Sequence, residues 1–341
     1  MKKIPVEKAV GHVLCHDITK IVPGEFKGPA FKKGHIIREK DIPELLKLGK
    51  EHIYVWETRP GILHENEAAV RMARAAGGEN IRLSEPAEGK VNLISTIRGL
   101  LKVNVAALAR MNAIEEIMMA TLHNNRLVGE NCPVAGTRVI PLVIEESKIV
   151  LVEEICREAG GILSVRPFKP LITGVVVSGS EVYHGRIEDA FGPVVRRKVE
   201  AFGCPVIHQV IVPDDKERIA AAAREMLDRG AEMILITGGM SVDPDDLTPA
   251  AVKSLGAQVV TYGAPVLPGA MFLLAYLGNI PVMGLPGCVM YARTTIFDLV
   301  LPRVLAGERL TRQDIAGLGH GGLCLGCADC HFPHCPLGKG N

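Results

Sequence analysis

The sequence predicts an α/β protein: a three-layer α/β/α domain with a parallel sheet, preceded by smaller mixed α+β domains. Three observations carry that expectation. From Pro170 onward, short apolar runs alternate with helical patterns, the order of a sheet whose strands are joined by crossover helices. The runs are continuously apolar, as in Met233-Ile234-Leu235-Ile236, which marks strands buried on both faces. The chain has 341 residues, 48% of them hydrophobic, too long for one typical domain and apolar enough for large cores. The expected division is a small β-rich domain over 1–58, a mixed α+β domain over 59–169, the α/β domain over 170–306, and a flexible cysteine-rich tail over 307–341.

In the first domain, Asp41 is placed to cap a helix reaching Leu48, with Pro43 in its first turn. Gly49 closes it, and His52-Ile53-Tyr54-Val55 reads as a strand. In the second, Asn104 caps a helix over 105–111, Ile117 to Leu122 is a strand, and Arg138 to Ile144 is another. Ser147 then caps an amphipathic helix that ends at Gly160-Gly161. No catalytic constellation appears there, and His64 and His123 read as isolated structural histidines.

The third domain opens with a strand over 171–177 and a helix over 191–202. A strand over 206–212 and a helix over 217–227 follow. The next strand ends at Thr237 and is followed by a helix over 249–255. Strands near 259–262 and 280–283 then lead to a last helix through Leu305. In such sheets, ligands bind beyond the carboxyl ends of the strands. That rule gathers Ser178-Gly179-Ser180-Glu181, Asp214-Asp215, the segment Thr237 to Pro249 and Leu285-Pro286-Gly287-Cys288 at one edge.

The richest of these is TGGMSVDPDDLTP. Gly238 and Gly239 let backbone amides approach an anion, and Asp243, Asp245 and Asp246 follow. Backbone donors beside carboxylates suit a phosphorylated ligand held with a divalent cation such as Mg2+. An ordinary strand-to-helix turn is the alternative, and either Asp214 or Asp215 can instead cap the following helix. No G-x-S-x-G elbow and no G-x-G-x-x-G opening a helix is present, which disfavours serine hydrolysis and a dinucleotide fold.

Cys324, Cys327, Cys330 and Cys335 form a C-x2-C-x2-C-x4-C-P series near the chain end. Four thiolates complete a tetrahedral zinc site. The series is also similar to the cluster-binding run of bacterial ferredoxins, with four residues rather than three before the last cysteine. Zinc and an iron–sulfur cluster both remain open, with the single uninterrupted run leaning towards the cluster. Gly317, Gly319, Gly321 and Gly322 suggest a flexible tether, so that the site closes locally and stays independent of the domain before it.

Residues 171–305 resemble the molybdopterin-binding domain of molybdopterin adenylyltransferases and molybdenumtransferases. The resemblance lies in SGSEVYHGRIEDAFGPV, VPDD, TGGMSVDPDDLTP and GLPGCV, in family order. It implies binding of molybdopterin or its adenylate, and molybdate insertion during molybdenum cofactor assembly. It also places substrate contacts on Ser178, Gly179, Thr237, Gly238, Gly239, Ser241, Pro286 and Gly287. Catalytic carboxylates carried over are Asp246, Asp215 and Glu181, with Asp246 and Asp215 holding magnesium. Departures exist: the family's lysine-flanked P-G loop reads Val266-Leu267-Pro268-Gly269-Ala270, and no S-x-M-D-G-Y-A segment follows the opening. A non-catalytic molybdopterin carrier or sensor, and a nucleotide amidohydrolase of the competence-damage type, are the alternatives.

Composition narrows the partners. A net charge of +1 gives no electrostatic basis for nucleic acid or an anionic membrane. The uncharged stretch between Lys253 and Arg293 is cut by prolines and glycines into pieces too short to span a bilayer. The start MKKIPVEKAVGHV lacks the apolar core of a signal peptide, and nine cysteines without one argue for reduced thiols. A soluble, cytoplasmic, homo-oligomeric protein is expected. Its partners would be a pterin and a molybdoenzyme or another cofactor-assembly protein.

Overall fold

The computed structural model describes residues 2–22, 24–55, 60–241, 243–244 and 246–340. The chain divides into two compact units, one of 1–94, 104–121 and 133–163, the other of 95–103, 122–132 and 164–341. The expected middle domain over 59–169 is therefore shared. The reason is strand pairing: Gly99–Val103 sits between Arg126–Val128 and Leu163–Pro167 in a three-stranded sheet. Gly99 lies so close to the Arg166 carbonyl that a side chain there would collide with it.

Within the first unit, Lys2–Pro5 pairs with His52–Val55, and Ile18–Val22 with Phe26–Phe31. Val6, Leu14, Ile18, Ile37, Leu45 and Ile53 form a small core there. A four-stranded sheet runs in the order Ile81–Leu83, Lys90–Ser95, Pro133–Val139, Ile117–Thr121. The strand expected from Arg138 to Ile144 is broken into Pro133–Val139 and Val143–Glu145. Asn104 caps Val105–Asn112 by accepting from the Ala107 amide, as its sequence position implies. Helix Glu146–Ala159 begins earlier than expected, with Glu145 rather than Ser147 at its cap. Arg71 ties Glu65–Ala76 to that helix by bonding both oxygens of Glu153 at 2.8 and 2.9 Å and Glu146 at 2.7 Å. His64 is buried, with Nε2 2.6 Å from the Cys15 carbonyl, and burial lowers its pKa. That is a structural histidine.

The second unit contains a six-stranded sheet. Its order is Val206–Val212, Thr173–Ser178, Met233–Thr237, Ile280–Leu285, Leu273–Leu277, Gln258–Tyr262. The first four strands are parallel, and Leu273–Leu277 is reversed. That reversed strand makes the otherwise parallel sheet mixed. It turns into its neighbour through Gly278-Asn279, with Gly278 at φ +60°, a two-residue hairpin connection. Alternation explains the continuous apolar runs. Val175, Val177, Met233 and Leu235 face helices Phe191–Glu200 and Ile296–Leu305. Val176, Ile234 and Ile236 face Lys216–Asp228 and Thr248–Ser254. Both faces are dry, so both parities must be apolar.

The tail is not the expected flexible tether. Helix Arg312–Ala316 follows a capping box on Thr311, and Leu310, Ile315 and Leu337 are buried in the same core as the sheet. Leu323 bridges Leu267 in parallel, with Leu267 N–H donating to the Gly322 carbonyl and Cys324 N–H to the Leu267 carbonyl. Several of its glycines serve close packing. A side chain at Gly322 would collide with the Pro265 carbonyl, and one at Gly338 would meet Leu299 at 2.6 Å. Among the described residues, no helix is long and apolar enough to cross a membrane.

Candidate functional site at the carboxyl edge of the sheet

The four parallel strands end together, in the register Val212–Ser178–Val177–Thr237–Leu285. The loops that follow therefore meet by construction. Gly238 has φ +83°, and a Cβ there would collide with the Ser178 carbonyl. Gly239 has φ +55°, and a Cβ there would come within 2.9 Å of the Thr248 hydroxyl. That hydroxyl donates to the Gly238 carbonyl at 2.8 Å, and the Thr248 amide donates to the Gly239 carbonyl. The two glycines are thus fixed by crowding and by backbone sign.

A cavity of about 360 Å3 opens over this loop, within the size range of small-molecule sites. Gly238, Gly239, Ser241 and Asp246 line one side, and Pro286 and Gly287 another. These six expected residues are brought together. The other five do not line the cavity. Ser178 is buried and donates to Asp214 at 2.7 Å, while Asp214 also accepts from the Ser180 amide at 2.8 Å. Gly179 is buried behind them, and Glu181 is exposed in the short helix Ser180–Tyr183. Thr237 is fully buried beneath the loop, its hydroxyl without a hydrogen-bond partner among the described residues.

Asp215 takes the capping role that its position left open. It is the N-cap of Lys216–Asp228 and accepts from the Arg218 amide at 2.8 Å. Asp246 accepts from the Asp243 amide at 2.8 Å and donates its own amide to the Asp243 carbonyl. This closes the acidic loop on itself while the side chain borders the cavity. Asp245 lies outside the described residues. A magnesium ion that also takes ligands from substrate phosphates needs only one or two carboxylates. Asp246 alone fits that requirement; among the described residues no three His, Cys, Asp or Glu side chains form a set able to hold an ion.

Four lining residues carried no sequence expectation of contact: Met240, Ala270, Met271 and Cys288. Ala270 and Met271 arrive because the reversed strand starts at this same edge, a consequence legible only from the Gly278-Asn279 turn. Cys288 is half-buried, and burial pushes its thiol pKa up. Tyr262, at the end of its strand, was also missed. Its hydroxyl lies 3.0 Å from both the Met240 and Ser241 carbonyls. Burial, and then the charge of Asp246, raise its pKa, so it stays a neutral donor clamped over the loop.

The family described as "Probable molybdopterin binding domain" matches residues 174–306, and a domain of unknown function matches residues 3–57. A molybdopterin molybdenumtransferase of Synechococcus elongatus is 27% identical over 185 residues, 51% of this chain and 46% of that protein. One of Haemophilus influenzae is 30% identical over 161 residues, 44% of this chain and 39% of that protein. A CinA-like protein of Mycobacterium avium is 35% identical over 93 residues, 27% of this chain and 21% of that protein. The chain thus spans less than half the length of these relatives. The matched segment holds the whole carboxyl-edge cavity. Residues 174–306 are thus similar to the molybdopterin-binding domain family.

Proposed function

We propose that the carboxyl-edge cavity binds molybdopterin or its adenylate and that the protein inserts molybdate into it during molybdenum cofactor assembly. One observation carries the reading. Five residues expected to contact substrate, Gly238, Gly239, Ser241, Pro286 and Gly287, line one cavity of about 360 Å3 together with Asp246, expected to hold magnesium. The backbone of the glycine loop receives the phosphate end, held in place by Thr248 below and Tyr262 above. Asp246 would hold magnesium, which supplies charge neutralisation at the phosphates when bound. Water or a molybdate oxygen attacks the adenylate phosphorus and the bond to the pterin phosphate breaks, so that AMP departs free or as its anhydride with molybdate. The dithiolene thiols then displace molybdate oxygens, which take up the thiol protons and leave as water. Fixed backbone dipoles supply most of the stabilisation.

A second reading, a molybdopterin carrier or sensor, is favoured by the absence of Lys and Arg among the described residues lining the cavity. Without a side-chain cation, phosphate binding rests on backbone and metal alone. Asp246→Asn separates the two. An asparagine oxygen can still accept from the Asp243 amide, so thermal unfolding should be unchanged. Magnesium-dependent cleavage of adenylylated molybdopterin should fall at least a hundredfold. Full cleavage by the variant refutes the assignment of Asp246. Pterin binding without cleavage by the wild-type protein establishes the carrier reading.

A further inference from the structure

The cysteine tail closes over a second cavity in the same unit, of about 280 Å3. Cys324, Cys327, Cys330 and Cys335 all line it, and the other wall comes from Pro268 and the segment Ala292–Thr294. The Thr294 hydroxyl lies 3.4 Å from the Cys330 sulfur. Leu323 and Leu325 complete a largely apolar lining. The tail is fixed to that wall by the Leu267–Leu323 bridge and by the burial of Leu337.

The size of the cavity discriminates between ligands. A tetrahedral zinc ion with Zn–S bonds of about 2.3 Å draws its sulfurs to within about 4 Å of one another. Among the described residues, no three such side chains are gathered into a single-ion set. The four thiols instead line one open-mouthed cavity of about 280 Å3. An iron–sulfur cluster puts an inorganic core between the protein sulfurs and needs that space, and four cysteine thiolates are its ordinary donor set.

We infer that Cys324, Cys327, Cys330 and Cys335 bind an iron–sulfur cluster in this cavity, on a tail docked against the α/β domain. The site stands apart from the pterin cavity but beside it. Pro268 lines one and Ala270 the other; Thr294 lines one and Cys288 the other. The exposed positions of Cys327 and Cys330 give the cluster access for assembly, and Cys324 and Cys335 anchor it inward.

The test uses the full chain, prepared without oxygen and reconstituted with ferrous iron and sulfide. Iron and acid-labile sulfide should be taken up in equal amounts, with a visible charge-transfer absorption that bleaches on dithionite addition. Cys327→Ser and Cys330→Ser should each lower bound iron at least tenfold. Because both side chains are exposed, the far-ultraviolet circular dichroism should be unchanged. Cys132→Ser should load like the wild type. Three results overturn the inference: equal iron loading in the Cys327→Ser/Cys330→Ser double variant, no iron in the wild type, or a stoichiometric zinc ion that excludes iron. No pterin enters the assay, so its failure leaves the proposed function untouched.

Discussion

The two cavities of the second unit are built in opposite ways. The carboxyl-edge cavity is made of backbone: Gly238 and Gly239 shape its floor because they lack side chains, and Pro286 and Gly287 form its opposite wall. The tail cavity is made of side chains, four thiols on a segment with little regular structure. In the first, positions matter by what they leave out. In the second, they matter by the donor they supply. Substitutions should therefore fail differently at the two sites, by intrusion in one and by loss in the other.

The sharpest test of this contrast concerns how the tail is held. Leu337 is 3% exposed in the main core of the unit, whereas Leu325, on the same tail, is 72% exposed. Leu337→Ala should cost about 2–5 kcal/mol in denaturant unfolding, the usual range for a buried leucine. Leu325→Ala should stay within about 0.5 kcal/mol. Equal, negligible effects would restore the tethered tail that its glycines suggest.

That outcome bears on what the sequence could show. The strand ends and their loops were legible because chain order and strand parity dictate where they fall. Six of the expected site residues meet for that reason. Ser178 and Asp215 lie outside the cavity because a carboxylate or hydroxyl near a strand end has local uses among which sequence order does not choose: bonding Asp214 in one case, capping a helix in the other. The cysteine spacing was legible as a ligand pattern. Its docking was not, since nothing in GHGGLC distinguishes a glycine needed for freedom from one, like Gly322, squeezed against the Pro265 carbonyl. Tyr262 escaped because its partners are carbonyls, which leave no trace in residue type.

A second pair of variants probes the glycine loop. Gly238→Ala places a methyl group against the Ser178 carbonyl at a positive φ. It should cost about 2 kcal/mol in stability and abolish pterin binding by calorimetric titration. Gly287→Ala adds the same methyl where nothing lies within 4 Å. Its stability should change by no more than about 0.5 kcal/mol, so any loss of binding reports intrusion into the cavity alone. If both variants bind pterin like the wild type, the cavity is not the pterin site.

The smallest expected effect is at Tyr262, whose hydroxyl holds the Met240–Ser241 end of the loop. Its single hydroxyl proton is shared between the Met240 and Ser241 carbonyls, each 3.0 Å away. Removing it in Tyr262→Phe loses about 1 kcal/mol of hydrogen bonding, and because the site is partly exposed, water can satisfy the carbonyls left behind. Global stability should fall by no more than that amount. The larger consequence is local: with Thr248 still holding the Gly238 carbonyl, only the Met240–Ser241 end of the loop is released. Amide hydrogen exchange there should quicken while the strand Met233–Thr237 stays protected. Pterin affinity should weaken several-fold through the cost of re-ordering the loop on binding. Unchanged exchange at Met240 and Ser241 would show that the glycines and Thr248 hold the loop without the tyrosine.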